Sequence, residues 1–126
     1  MRSLRAGVAM EGQDALYALA ERVAQRLRAR GETVAVAESA TGGAISAALL
    51  ARIVRDRHES SWAVSESGAA GPSGNRYGDP AGHSAIAVAG ARAHTLTLRT
   101  QSADRRANMQ AFAIAALQAL LRAIDG

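Results

Sequence analysis

Chemistry in this sequence can come from two short polar segments. The first, Glu38-Ser39-Ala40-Thr41-Gly42-Gly43, supplies a carboxylate, two hydroxyls and a glycine pair. The second, SGAAGPSGNRYGDPAGH from Ser67 to His83, holds five of the chain's twelve glycines and both of its prolines. At the start of a helix, the first segment would gather free backbone N–H groups and the positive end of the helix dipole around an anion or a developing oxyanion. The same residues would equally make an ordinary cap by Ser39 or Thr41, with Gly42 and Gly43 allowing close packing. The second segment can wrap a phosphate through its backbone amides or serve as a flexible glycine-proline connection. Glu38 and Glu66 stand beside the two segments, each suited to act as a base or to accept loop amides.

Other chemistries are excluded by what is missing. There is no cysteine, so disulfide frameworks and thiolate-metal sites are out. All 15 basic residues are arginine, and without lysine neither a Schiff base nor a serine-lysine dyad can form. His58, His83 and His94 share no short spacing, so no zinc site is expected; His83, at the end of the second segment, has the best claim to a site and the other two suit helix and strand ends. The net charge is only +4, because the arginines are scattered among 11 carboxylates. The one cluster, Arg26, Arg28 and Arg30, complements a helix C-terminus more simply than it tracks phosphates, which argues against a nucleic-acid partner.

Apolar periodicity supplies the elements that would hold the two segments. Residues 14 to 30 carry Leu16, Leu19, Ala20, Val23 and Leu27 on one stripe, with Gly31 as a helix stop. Thr33 to Ala37 reads as a short buried strand, and Ile45, Leu49 and Ile53, with Leu50 and Val54 beside them, resume a helical period to about His58. Trp62 to Glu66 reads as a second strand, parallel to the first by the right-handed crossover rule. Ser84 to Gly90 and His94 to Thr100 read as an antiparallel hairpin. The last helix, from about Ala103 to Ile124, turns Met109, Phe112, Ala113, Ala116, Leu117, Leu120 and Ile124 inward, capped by Ser102. The fold class is therefore α/β, a small mixed sheet (a parallel pair plus an antiparallel hairpin) packed by three helices. In open α/β sheets, ligands bind at the carboxyl ends of the strands, and both polar segments leave from there.

One domain over residues 1–126 is expected, with 1–13 poorly ordered. Of its apolar residues 31 are alanine, and Leu, Ile, Val and Phe together number 24, so the core is thin and self-association into a homo-oligomer would help it. No apolar run reaches the length of a membrane span, and the opening residues lack a full signal-peptide pattern, which points to the cytoplasm.

The pair of motifs resembles the C-terminal domain of the CinA (competence/damage-inducible) family, whose characterised members are nicotinamide mononucleotide deamidases. The family's AES-x-TGG is similar to Glu38 to Gly43, its TG-x-AGP-x-G loop to Ser67 through Gly74, and its GDR to Ala103-Asp104-Arg105. The resemblance covers nearly the whole chain from about Asp14. It implies that Ser39 is the nucleophile on a pyridine nucleotide's carboxamide, that Thr41, Gly42 and Gly43 form the oxyanion site, and that no cofactor takes part. It also implies that Ser67, Gly68, Gly71, Gly74, Asn75, Arg76 and Arg105 bind the substrate, Arg105 by the motif match and Asn75 and Arg76 by loop position. The family segment between the two motifs, with the lysine and tyrosine that assist the serine, has no counterpart here; Leu50 runs straight into Ala51 to Arg57, and Tyr77 lies in a different loop. Two alternatives stand beside this: a noncatalytic nucleotide- or phosphate-binding module, and an interaction protein.

Overall fold

The computed structural model describes residues 4–39, 44–75 and 78–126. In chain order these form α1 (Leu4–Arg30), β1 (Val34–Ser39), α2 (Ala44–His58), β2 (Trp62–Ala69), β3 (His83–Ala89), β4 (His94–Arg99) and α3 (Arg105–Asp125). The strands make one sheet in the order β1-β2-β3-β4. β1 and β2 run parallel, while β2 with β3 and β3 with β4 run antiparallel. Among the described residues the chain is an α/β domain with a four-stranded mixed sheet and three helices, as its periodicity predicts.

The two faces of the sheet are packed by different means. Trp62, Val64, Ile86 and Val88 face α1 and α3, where Val23, Leu27, Leu120, Leu121 and Ile124 complete the core with the chain's larger apolar groups. The opposite face is nearly all alanine: Ala35, Ala63, Ala85, Ala87 and Ala89 meet Ala47 and Ala51 of α2. Side chains this small allow α2 to lie close on the sheet, and Ser65 spans the gap by donating from Oγ to the Ala47 carbonyl at 2.5 Å. Arg26 joins α1 to the end of α3 through Asp125 at 3.0 Å.

Several expectations need correcting. The stripe of α2 that packs is Ala47 and Ala51, 0% and 1% exposed, whereas Leu49 and Ile53 point away from the sheet at 56% and 57% exposure. Helical periodicity marks the large apolar residues, but the sheet face opposite is alanine-lined and takes the small ones, with Val54 partly buried beside them. Thr33 to Ala37 belongs to an edge strand rather than a buried one, with Val36 60% exposed. Met109 is 54% exposed rather than inward. Asp104, not Ser102, caps α3: its carboxylate accepts from the Ala107 N–H at 3.1 Å, while the Ser102 hydroxyl accepts from the Asp104 N–H. The predicted stop of the first helix is present, with Gly31 at φ +63° and the Glu32 N–H bonded back to the Leu27 carbonyl. α3 is long and apolar enough to cross a membrane by length and composition alone, a property it shares with core helices of soluble proteins.

The alanine layer makes a direct test possible. Ala51→Leu is expected to cost about 1–3 kcal/mol by overpacking, whereas Leu49→Ala should change stability by no more than about 0.5 kcal/mol. Urea denaturation of both variants checks this; equal losses would mean that α2 packs through its large residues after all.

Candidate functional site

The register of the parallel pair places the two motifs side by side. Glu38 pairs with Glu66 and Ser39 with Ser67, so the polar segments leave neighbouring strands at one rim of the sheet. Thr41, Gly42, Gly43, Arg76 and Tyr77 lie outside the described residues, as does the side chain of Ser39, whose backbone closes β1. Ser67 and Gly68, expected in the loop, are still within β2, because the ladder to β3 continues to the Ala69–His83 pair.

Below that rim, on the α3 face, is a cleft of about 720 Å³. Val36, Glu38, Val64 and Glu66 form its strand side, Met109 and Phe112 its helix side, and the loop from Ala70 to Asn75 closes one end. Gly68, Gly71, Gly74, Asn75 and Arg105 all line it. Ser67 does not: its side chain, 1% exposed, is on the other face of β2, and its Oγ has no hydrogen-bond partner among the described residues. His83 is also elsewhere. It is buried at the start of β3, with Nδ1 3.7 Å from Asp79, and lines a separate hollow with Arg99 and Gln101.

The loop is anchored by α3. Arg105 donates from Nη1 to the Gly71 carbonyl at 3.0 Å. Asn108 donates from Nδ2 to the carbonyls of Ala70 and Ser102, both at 2.8 Å, and accepts from the Thr100 hydroxyl at Oδ1. Gly71, at φ +107°, could carry no side chain, since a Cβ there would sit 2.7 Å from the Ala103 carbonyl oxygen; its bond to Pro72 is cis. Further along, Asn75 and Asp79 close the loop on itself, the Asp79 N–H donating to Asn75 Oδ1 and Asn75 Nδ2 to the Asp79 carboxylate. The Ala103-Asp104-Arg105 motif thus does two local jobs, a helix cap and a loop clamp.

Glu66 is the perturbed acid of the cleft. Burial pushes its carboxyl above the usual range and the neighbouring Glu38 adds to this, while the Ser84 hydroxyl, donating to Oε1 at 2.6 Å, works in the opposite sense. Sequence reasoning placed Glu66 beside the site but missed Ser84 and Asn108. Asn108 was legible: it falls four residues before Phe112 on the inward stripe of α3, where an amide must find partners. Ser84 lies in the antiparallel hairpin, and only the β2–β3 register brings it to Glu66.

The fold and cleft define an α/β protein with a ligand-sized pocket at the carboxyl rim of a parallel strand pair. The family model of the CinA C-terminal domain matches residues 16–52 and 47–124, and the chain belongs to that family. Among solved structures, it is similar to the competence/damage inducible protein CihA from Agrobacterium tumefaciens, with a TM-score of 0.78 and 19% identity over 89% of this chain and 96% of that one. A competence-damaged (CinA) superfamily protein from Klebsiella pneumoniae gives a TM-score of 0.73 and 23% identity over 87% and 98% of the two chains. A competence or damage-inducible protein from Enterobacter asburiae gives 0.72 and 22% over 84% and 96%. No curated protein matches the sequence.

Two measurements test the site's construction. Asn108→Ala is expected to lose about 1–3 kcal/mol, because buried carbonyl and hydroxyl partners are left unpaired; urea denaturation reads it, and an unchanged midpoint would remove Asn108 as the loop's anchor. Glu66 binds its proton more tightly folded than unfolded, so its contribution to stability is present in acid and lost as pH rises through the raised pKa. Glu66→Gln should therefore gain stability relative to the parent between about pH 4 and pH 8, and a flat or falling difference would contradict the assignment.

Proposed function

We propose that this chain is a pyridine-nucleotide amidohydrolase, hydrolysing the carboxamide of nicotinamide mononucleotide to the nicotinic acid form and ammonia, in the cytoplasm and without a cofactor. The observation that supports the reading is that both family motifs leave the sheet at one rim: the backbones of Ser39 and Ser67 pair at the ends of β1 and β2, and the Gly71 loop leaves that rim to close the cleft. A cleft of about 720 Å³ is of the size that encloses small ligands. Its charges also suit a mononucleotide of this kind: Glu38 and Glu66 on the strand side complement a cationic ring, and Arg105 at the start of α3 complements a phosphate.

In this mechanism the Ser39 hydroxyl adds to the carboxamide carbon, backbone N–H groups near Gly42 and Gly43 hold the oxyanion, and ammonia leaves with the proton released by the serine. Water then adds to the acyl-enzyme, and the serine oxygen departs as the hydroxyl. The chain has no lysine to assist the first step, and loss of general-base help costs about 10²–10⁴-fold, so turnover is slow. That same absence favours a second reading, in which the cleft binds the nucleotide without hydrolysing it. Nucleic acid and membrane are not partners in either.

Purified protein incubated with nicotinamide mononucleotide should release ammonia slowly, and Ser39→Ala should abolish the release. Turnover that survives Ser39→Ala removes the serine from the mechanism; calorimetric affinity with no ammonia from the parent supports the binding module. Arg105→Ala should weaken nucleotide binding about tenfold or more, the worth of one hydrogen bond to a charged group. Unchanged affinity would place the phosphate elsewhere.

A further inference from the structure

β1 is the outermost strand of the sheet, and its outer edge is open among the described residues. Which groups that edge presents follows from one hydrogen bond. The Trp62 N–H donates to the Thr33 carbonyl at 2.9 Å, and Trp62 pairs with Val34. In a parallel ladder the residue opposite turns its own N–H and C=O the other way, so Thr33, Ala35, Ala37 and Ser39 bond to β2 while Val34, Val36 and Glu38 aim their backbone groups outward. Native edges are usually blunted by lysine, proline or a bulge. This one has no lysine, proline or bulge, and Glu38 is its single charge: the strand reads VAVAES, the chain has no lysine, and its prolines are Pro72 and Pro80. Val36 adds a 60% exposed apolar side chain on the face that α1 and α3 leave uncovered at β1.

We infer that two copies of this chain pair antiparallel through the outer edges of β1, about a twofold axis that sets Val36 opposite its own copy. A strand edge is its own complement under such an axis, which is why a second copy fits where an unrelated surface need not. The register is selected by the backbone and by charge. With Val36 opposite Val36, all three outward residues of each strand enter narrow pairs, and each pair exchanges two N–H···O bonds. Glu38 then faces Val34. Sliding two residues one way brings Glu38 opposite Glu32, and sliding the other way loses a pair. The axis keeps both α3 helices on the same face, so the two clefts open side by side along the joined β1 strands, with Val36 of each copy forming part of the shared wall.

The absence of cysteine allows a clean test, because one introduced thiol reports on one position. The parent protein should have a solution mass twice 13.0 kDa by light scattering and sedimentation. Val36→Cys should form an intermolecular disulfide under mild oxidation, since paired Cα atoms lie about 5.5 Å apart. Leu49→Cys should not, and Val36→Lys should yield a folded monomer by circular dichroism and mass. A parent that stays monomeric across the concentration range overturns the proposal. So does a dimer that resists Val36→Lys and cross-links through Leu49→Cys. Should Val36→Lys fail to fold, the thiol pair still decides, because Val36→Cys is a small change at an exposed site.

Discussion

The in-register parallel pairing of β1 with β2 is the constraint on which the rest depends. A one-residue slip would turn every side chain of β1 to the opposite face. Glu38 would leave the cleft and Val36 would be driven toward α2, where the neighbouring residues are alanines with no room for it. The pairing is held at its start by local bonds: the Thr33 N–H donates to Ser61 Oγ and the Ser61 N–H to Thr33 Oγ1, both at 3.1 Å. Reciprocal side-chain bonds across the strand entrances fix which residue meets which before the ladder begins. The polar rim at the other end is then set by strand length alone.

A chain with so few large apolar residues has to spend them unevenly. They are concentrated between the sheet and the α1–α3 pair, where Trp62 and Ile124 are each 1% exposed. Alanine fills the other interface, which loses burial per residue but brings α2 close enough for backbone-level contacts such as that of Ser65 with Ala47. The two interfaces therefore fail differently. The large-residue face is vulnerable to cavities, the alanine face to any added methyl group.

Element types and order were legible because each follows from a period: 3.6 in the last helix, two in the β4 strand, and glycine at the end of α1. Which face of α2 packs was not, because periodicity identifies two stripes and only the partner surface decides between them. The alanines of β3 that make the decision lie far along the chain, and their role depends on the β2–β3 register. The candidate site shows the same division. Motif residues such as Gly71 and Arg105 are recognisable by type and spacing, and they do line the cleft. Ser67 carries the same motif signal yet faces the other way, since strand alternation past the expected loop boundary settles its direction.

The family match itself is broken within α2. Its two stretches, 16–52 and 47–124, overlap on the same six residues of α2, so the profile is met twice by one helix rather than once along an uninterrupted chain. Apolar surface is exposed on the elements that adjoin the overlap: α2 turns Leu49 and Ile53 to solvent, and β1 exposes Val36 and an edge that is unpaired among the described residues. Burial on the alanine face and the Ser65 bond hold α2 in place without those side chains. The alanine core is continuous across the overlap, and the open apolar surface lies outside it.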